Sequence, residues 1–463
     1  MATTRLTRRR FLHASAGALG GAALASGGIT TSRRTAAAQE FAGKTVSIAT
    51  VDGELSNGIT AQMEAFEQAT GAKIELNKIP GAELNTKITA DLSSGTGAFD
   101  VIIEPFIFLH GHAAGGFYEP LDERAGADPD VALDDFIPML LETMGKYDGK
   151  LYGLPYKADA YVFFYRKDLF ADPAVQAAFT EQTGTDLKAP DTVDELIATA
   201  RFFTKSLNPD SPTEFGWAHM AESGASANWI WASRLAVYGG SYLDADFRPN
   251  FNNDAGRAAM AAALQLNETC PPDIGSYGWE ESNTSFLTGK VAMMEQWPGL
   301  SKMAETEEGF WGRSEVIGKT GYAVPAGADV NGTIVKSSVL GGWAAAVSTH
   351  AEDKDLAYRA VSFLTSKEGE PLKIAAGNDP CRRSTYENPE ISGANPLYPT
   401  LMQCLEQARI TADVDAPPVG FELQTVMGQA FNQVWIGDAE GDAALADVEE
   451  QWVEILERAR LAG

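Results

Sequence analysis

Cysteine is scarce in this chain: three in 463 residues, at Cys270, Cys381 and Cys404. No pair has C-x-x-C spacing, which argues against a zinc or dithiol-redox site. The odd count leaves either one disulfide, Cys381–Cys404, or plain buried thiols. Histidine is nearly as rare, with five in all, and His13 lies in the N-terminal segment. His110 and His112 have no further His or Cys nearby, so the pair reads as a surface loop rather than a metal site. No G-x-S-x-G nucleophile elbow is present. Gly318-Lys319-Thr320 resembles the end of a phosphate loop, but the required spacing puts Arg313 where glycine is needed. Glu280 and Glu281 beside Trp279 are neighbours in sequence, whereas a glycosidase pair faces itself across a cleft. With no catalytic residue, metal ligand or cofactor to assign, the chain is expected not to be an enzyme.

Basic residues are outnumbered as well, 36 Lys and Arg against 63 Asp and Glu. Six of those arginines fall in residues 1–38, which contain no acid, so the remaining 425 residues carry a formal charge of −33. Such a surface repels nucleic acid and anionic lipid, and excludes both as partners. After the N-terminal segment no apolar run reaches the ~20 residues of a membrane span, so no membrane insertion of the mature chain is expected.

The N-terminal segment itself carries an address. Arg8-Arg9-Arg10-Phe11-Leu12 is followed by a bland Gly/Ala-rich run to Thr30 and by Ala36-Ala37-Ala38. Paired arginines, a weakly apolar stretch and an A-x-A site read as a twin-arginine export signal over residues 1–38, cleaved before Gln39. No cysteine stands at the cleavage point to take a lipid anchor. The expectation is a soluble protein exported in folded form to a periplasm.

Downstream, strand and helix patterns alternate. Thr45–Val51 and Lys73–Ile79 read as strands, and Phe99–Ile103 as a continuous apolar strand. Between them, Ile59, Met63 and Phe66, then Leu84, Ile88 and Leu92, follow helical spacing, with stops at Gly71 and at Ser93–Gly97. A βαβαβ order with buried strands implies a mostly parallel sheet covered on both faces. Ligands of such sheets bind beyond the carboxyl ends of the strands, here Asp52–Asn57, Pro80–Asn85 and Glu104–Phe106. A second βα set begins at Tyr161–Tyr165, with Thr192–Glu195 as a capping box. Residues 206–213 read as a loop, 377–399 as a connector, and 400–463 as mainly helical.

Six segments, in this order, resemble the family 1 extracellular solute-binding proteins, the group that includes maltose-binding protein. They are Gly95-Thr-Gly-Ala-Phe-Asp-Val101, Tyr147-Asp-Gly-Lys-Leu-Tyr-Gly-Leu-Pro155, Tyr165-Arg-Lys-Asp-Leu-Phe170, Phe286-Leu-Thr-Gly-Lys-Val-Ala-Met-Met294, Gly341-Gly-Trp343 and Phe363-Leu-Thr-Ser-Lys-Glu368. Each is weak alone; their order and spacing span nearly all of the mature chain. The resemblance implies an α/β, two-lobed periplasmic-binding-protein fold of type II-like topology. Each lobe would be a mostly parallel sheet flanked by helices, with a helical C-terminal segment. Residues 41–155 with 322–378 would form the first lobe, and 156–321 with 379–463 the second. Crossovers then fall near Leu154-Pro155, Gly321–Val324 and Gly377–Pro380. The implied function is a monomeric receptor that holds a small carbohydrate or polyol between the lobes and delivers it to the permease of an ABC transporter. A receptor for another small polar solute, such as a polyamine or phosphate ester, is the alternative, and a secreted glycosidase a more distant one.

A sugar presents apolar C–H faces and a rim of hydroxyls, which suit aromatic rings and charged acceptors. By resemblance Trp297 supplies a stacking ring, Asp159 a ligand-binding acid just past the first crossover, and Glu104 and Phe106 contacts from the first lobe. Asp52 and Glu54 lie at the end of the first strand, and Trp343 follows two glycines in the returning segment. Arg382, with Arg383, faces an acidic ligand, acids of the other lobe, or solvent. The residues also allow plainer roles. Trp343 suits a core position, Trp297 interlobe packing, Asp52 and Glu54 a helix N-terminus, and Asp159 a loop. Tyr165-Arg166 replaces the family's common Tyr-Asn, and Glu104 stands where relatives often place Trp, which favours a small, hydroxyl-rich solute.

Overall fold

The structure is a computed structural model that describes residues 40–244, 246–307, 314–393, 395–409 and 418–461. The export signal and its cleavage point at Gln39 lie outside the described residues.

The alternating N-terminal pattern folds as its periodicity dictates. Strand β1 (Thr45–Val51) leads into helix α1 (Glu54–Thr70), followed by β2 (Lys73–Ile79), α2 (Leu84–Ser94) and β3 (Val101–Pro105). Ile59 and Phe66 of α1 are fully buried, as are Ile88 and Leu92 of α2. The helix α1 ends at Gly71, whose φ of 78° is the left-handed closure that glycine adopts without strain. Helix α3 (Phe106–Ala114) follows β3 directly.

Two sheets result. The chain next forms β4 (Gly153–Ala160), buried along its whole length, and then β5 (Val162–Arg166). Helix α4 (Val193–Phe202) opens with the expected box: the Glu195 amide donates to Thr192 Oγ1 at 3.2 Å and the Thr192 amide donates to Glu195 Oε2 at 3.3 Å. Strands β6 (Phe215–Ala218), β7 (Val291–Gln296), β8 (Thr320–Ala323) and β9 (Ser338–Val347) complete the pattern, with the short β10 (Ala408–Arg409). The larger sheet has the order β10-β9-β3-β1-β2, with β4 on β9; the smaller has the order β8-β5-β7-β6. The remaining C-terminal chain is helical, α5 (Gly420–Trp435) packing on α6 (Gly441–Leu461), with Trp452 fully buried.

Pairing departs from expectation in two ways. The β1–β2, β1–β3 and β9–β10 pairs are parallel, but β9 runs antiparallel to both β3 and β4. In the smaller sheet only β6–β7 is parallel, because β5 and β8 return across it as antiparallel neighbours. The second sheet is therefore mixed rather than mostly parallel. The change of sheet also falls later than sequence suggests. Residues Lys157, Ala158, Asp159 and Ala160 pair with β9 in the larger sheet, beyond the expected boundary at 155. Tyr322 and Ala323, expected in the first lobe, pair with β5 in the smaller one. A single residue, Tyr161, separates β4 from β5.

Several local expectations are corrected. His110 and His112 lie on α3 and are buried, not in a surface loop. Of the two alternatives for Cys381 and Cys404 the structure has the plain buried thiols, with no disulfide between them. The connector at 377–399 contains two short helices, Arg383–Glu387 and Pro389–Ser392.

Candidate functional site

The end of β4, the start of α1 and the segment after β7 converge on one cluster of charges and rings. Lys157 and Asp159 are two residues apart on β4, so both side chains leave the same face of the strand. Lys157 Nζ lies 2.5 Å from Asp159 Oδ1, 3.5 Å from Asp379 Oδ2 and 3.7 Å from Glu54 Oε2. Lys157, Asp159 and Asp379 are buried, while the Glu54 side chain keeps 25% of its surface exposed and marks the open edge. Burial pushes the carboxyls of Glu54, Asp159 and Asp379 above their ordinary range, with Lys157 pulling each back. Burial also opposes the charge on Lys157, but three surrounding carboxylates outweigh it and hold the ammonium protonated. Even so, Glu54 Oε1 and Asn378 Oδ1 accept no hydrogen bond, although Asn378 Nδ2 donates to the Glu54 carbonyl at 2.9 Å, and Asp379 Oδ2 has only its 3.5 Å ion pair with Lys157. Buried polar atoms are ordinarily paired, so unfilled acceptors gathered in one place mark a site built for a donor.

Beside this cluster stands an aromatic wall. The Trp297 ring packs edge-on against Tyr161, centroids 4.4 Å apart, and against Trp229 at 5.2 Å. On its other side the indole meets the backbone of β9. A Cβ placed on Gly341 would lie 2.6 Å from Trp297 Cζ3 and 3.3 Å from Asp159 Cβ, so glycine there is what lets the ring and the acid share one floor. Glu54 reaches the same segment: a Cβ on Gly299 would sit 2.8 Å from Glu54 Oε2. Lys302 Nζ donates to the Ala376 carbonyl at 2.5 Å, a further tie between the two sides.

Of the eight residues singled out from sequence, the structure gathers Glu54, Asp159 and Trp297. Trp343 is half-buried on β9, with Lys157 as its partner on β4 and Pro105 on β3, at the margin of the cluster. Asp52 stays exposed at the start of α1. It accepts from the Gly53 amide at 3.0 Å and from Ser56 Oγ at 3.2 Å, and pairs with Lys78 at 3.6 Å. The other three are buried with partners of their own. Glu104 is fully buried and accepts from Tyr118 Oη at 2.5 Å, with His112 Nδ1 at 2.9 Å. Phe106 is buried edge-on against His110. Arg382 is fully buried on the face of Phe136, 4.0 Å from the ring centroid, and donates to the carbonyls of Thr365 (2.9 Å) and Val131 (2.7 Å). Its Nη1 also pairs with Asp135 at 3.4 Å, an acid of the expected first lobe, so the guanidinium holds the fold and has no donor left for a ligand.

Sequence reasoning alone misses Lys157, Asp379 and Asn378. For Lys157 a signal exists, since strand alternation from Asp159 puts it on the same face. Asn378 and Asp379 lie in the expected crossover at Gly377–Pro380, which is their signal, although only the fold brings Asp379 to Lys157. Among the described residues no group of three or more His, Cys, Asp or Glu is arranged to hold a metal ion. No described helix is long and apolar enough to cross a membrane.

Two sheets joined through a one-residue passage, with acids and indoles gathered where the chain changes sheet, define a two-lobed solute receptor. The family model for bacterial extracellular solute-binding proteins matches residues 52–371, and the chain belongs to that family. Among its relatives, the mannitol-binding protein of Pseudomonas aeruginosa is 26% identical over 81% of this chain and 84% of its own. A Sinorhizobium fredii protein, described as a probable amino-acid ABC transporter periplasmic-binding protein, is 28% identical over 80% of this chain and 78% of its own. The fold matches an ABC transporter solute-binding protein of Agrobacterium radiobacter in complex with ribitol, with a TM-score of 0.76 and 25% identity over 90% of this chain and all of the other.

Proposed function

We propose that this protein captures a small sugar or polyol between its two sheets and presents it to the membrane permease of an ABC transporter. The observation that carries the reading is the unfilled set of acceptors, Glu54 Oε1, Asp379 Oδ2 and Asn378 Oδ1, within a site walled by Trp297. Hydroxyls would donate to the carboxylates while the C–H face of the solute lies on the indole. The relatives named for mannitol and ribitol support a ligand of this size and polarity. The lobes follow the strand pairing: β1 to β4, β9 and β10 on one side, β5 to β8 on the other. The protein acts as a monomeric receptor and not as an enzyme, in keeping with a family of binding proteins. It is placed in the periplasm by the twin-arginine signal.

The test is a thermal-shift screen of the mature protein against sugars and polyols. A ligand at 100 times its Kd adds ~2.7 kcal/mol to stability, which a melting curve resolves. A screen in which no hydroxylated solute raises the melting temperature would overturn the reading.

A further inference from the structure

Resting on that reading of the site, we propose that the solute bears an organic ammonium group as well as hydroxyls, the class of amino sugars and amine-bearing polyols, and that this cation docks between Glu54 and Asp379.

Three carboxylates surround one ammonium, that of Lys157. Lys302, the next cation, spends a donor on the Ala376 carbonyl and acts on Glu54 through space without a direct ion pair, so two lysines face three carboxylates. A buried group of this composition retains a surplus of negative charge, which a dry environment penalises heavily. Something with positive charge completes it. Among the described residues the carboxylates are not arranged to hold a metal ion, which leaves an organic cation or a shared proton.

Hydrogen bonding points the same way, independently of the charge count. Asp379 is 4% exposed, yet its Oδ2 has only the 3.5 Å ion pair with Lys157, and Asn378 Oδ1, fully buried, accepts no hydrogen bond. Each unfilled position on Glu54, Asn378 and Asp379 is an acceptor. The missing partner is therefore rich in donors, and an ammonium offers three and no acceptor. The ring adds to this. Trp297 stands beside Asp159 across Gly341, so an aromatic ring borders the carboxylates. Glu54, the partly exposed member, provides the way in.

Matched pairs test this. Mature protein is titrated calorimetrically with D-glucosamine, D-glucose and N-acetyl-D-glucosamine, and with 1-amino-1-deoxy-D-sorbitol and D-sorbitol. In at least one set the cationic member should bind ten-fold or more tighter than its neutral counterparts. Asp379→Asn should bring the pair towards parity. Glu54→Gln, at the exposed edge and less prone to misfolding, should do the same, with circular dichroism confirming the fold of both. Neutral members that bind as tightly as cationic ones would mean that a proton neutralises the cluster; the inference then falls while the polyol reading stands. It falls in the same way if the preference survives both variants, or if a neutral sugar of another shape binds and no amine does. If no hydroxylated solute binds at all, both fall.

Discussion

Gly341 offers the sharpest test of how the lobes meet. A methyl group at this position would sit 2.6 Å from Trp297 Cζ3 and 2.8 Å from Cη2, whereas carbon atoms rest at ~3.5–4.0 Å. The indole would have to retreat by ~1 Å. It has little room, since Tyr161 and Trp229 flank it with centroids 4.4 and 5.2 Å away. Overpacking of this kind costs ~1–3 kcal/mol. Trp297 follows a strand of the smaller sheet and Gly341 belongs to the larger one, so the strain bears on the contact between the two. Gly341→Ala should therefore weaken binding by up to ~5- to 150-fold at ~1.4 kcal/mol per decade. Calorimetric titration with the strongest solute from the thermal-shift screen gives the first number, and X-ray scattering with and without that solute gives the degree of closure. Wild-type affinity with full compaction in Gly341→Ala would refute the packing of Trp297 on β9 in the bound protein.

Four further outcomes are expected. Trp297→Ala should lose most of the affinity for that solute without altering the scattering of the free protein; normal binding would remove the ring from the site. Lys157→Met leaves three clustered carboxylates without their cation and should lower stability by ~3–5 kcal/mol in urea denaturation, and a smaller loss than Glu54→Gln would contradict the central place of this ammonium. His219 is buried, and burial pushes its pKa down to about 3, with Arg234 adding to the effect. The unfolded chain takes up that proton below about pH 6.5, so U binds more protons than N and stability falls on acidification from there; His219→Met should show a shallower fall, and equal slopes would refute the assignment. Replacing Arg8 and Arg9 together by Lys should leave the precursor in the cytoplasm on fractionation, whereas normal export would overturn the signal.

Where local pattern decides structure, the sequence is legible. The strands β1 and β2 occupy the expected residues because alternation and flanking stops agree. The third strand begins later than the apolar run suggests, at Val101 rather than Phe99. Asp100 is occupied as an acceptor, taking the Ser47 amide at 2.8 Å and the Glu352 amide at 3.0 Å. Sites are harder to read, since their members come from distant passages of the chain. Glu54 can be named from its position at a strand end, whereas Asp159 and Trp297 are named through the family resemblance. Glu104 satisfies the same criterion and fails. What turns it inward are His112 and Tyr118, partners that no spacing announces. Arg382 fails likewise, because its carbonyl acceptors include one in a segment far away in sequence. Burial of a charge is decided by its partners, and partners are tertiary information.

Tyr161 has a mechanical consequence. It is the one residue between β4 of the larger sheet and β5 of the smaller, and its ring is also the nearest aromatic neighbour described for Trp297. The residue of the passage and the ring that would report on it are thus in direct contact. Any rotation of one lobe about this passage must change how Tyr161 and Trp297 face each other, so the state of the lobes is written into the optical environment of a single indole. The protein carries its own gauge of opening, and no label is needed to follow it.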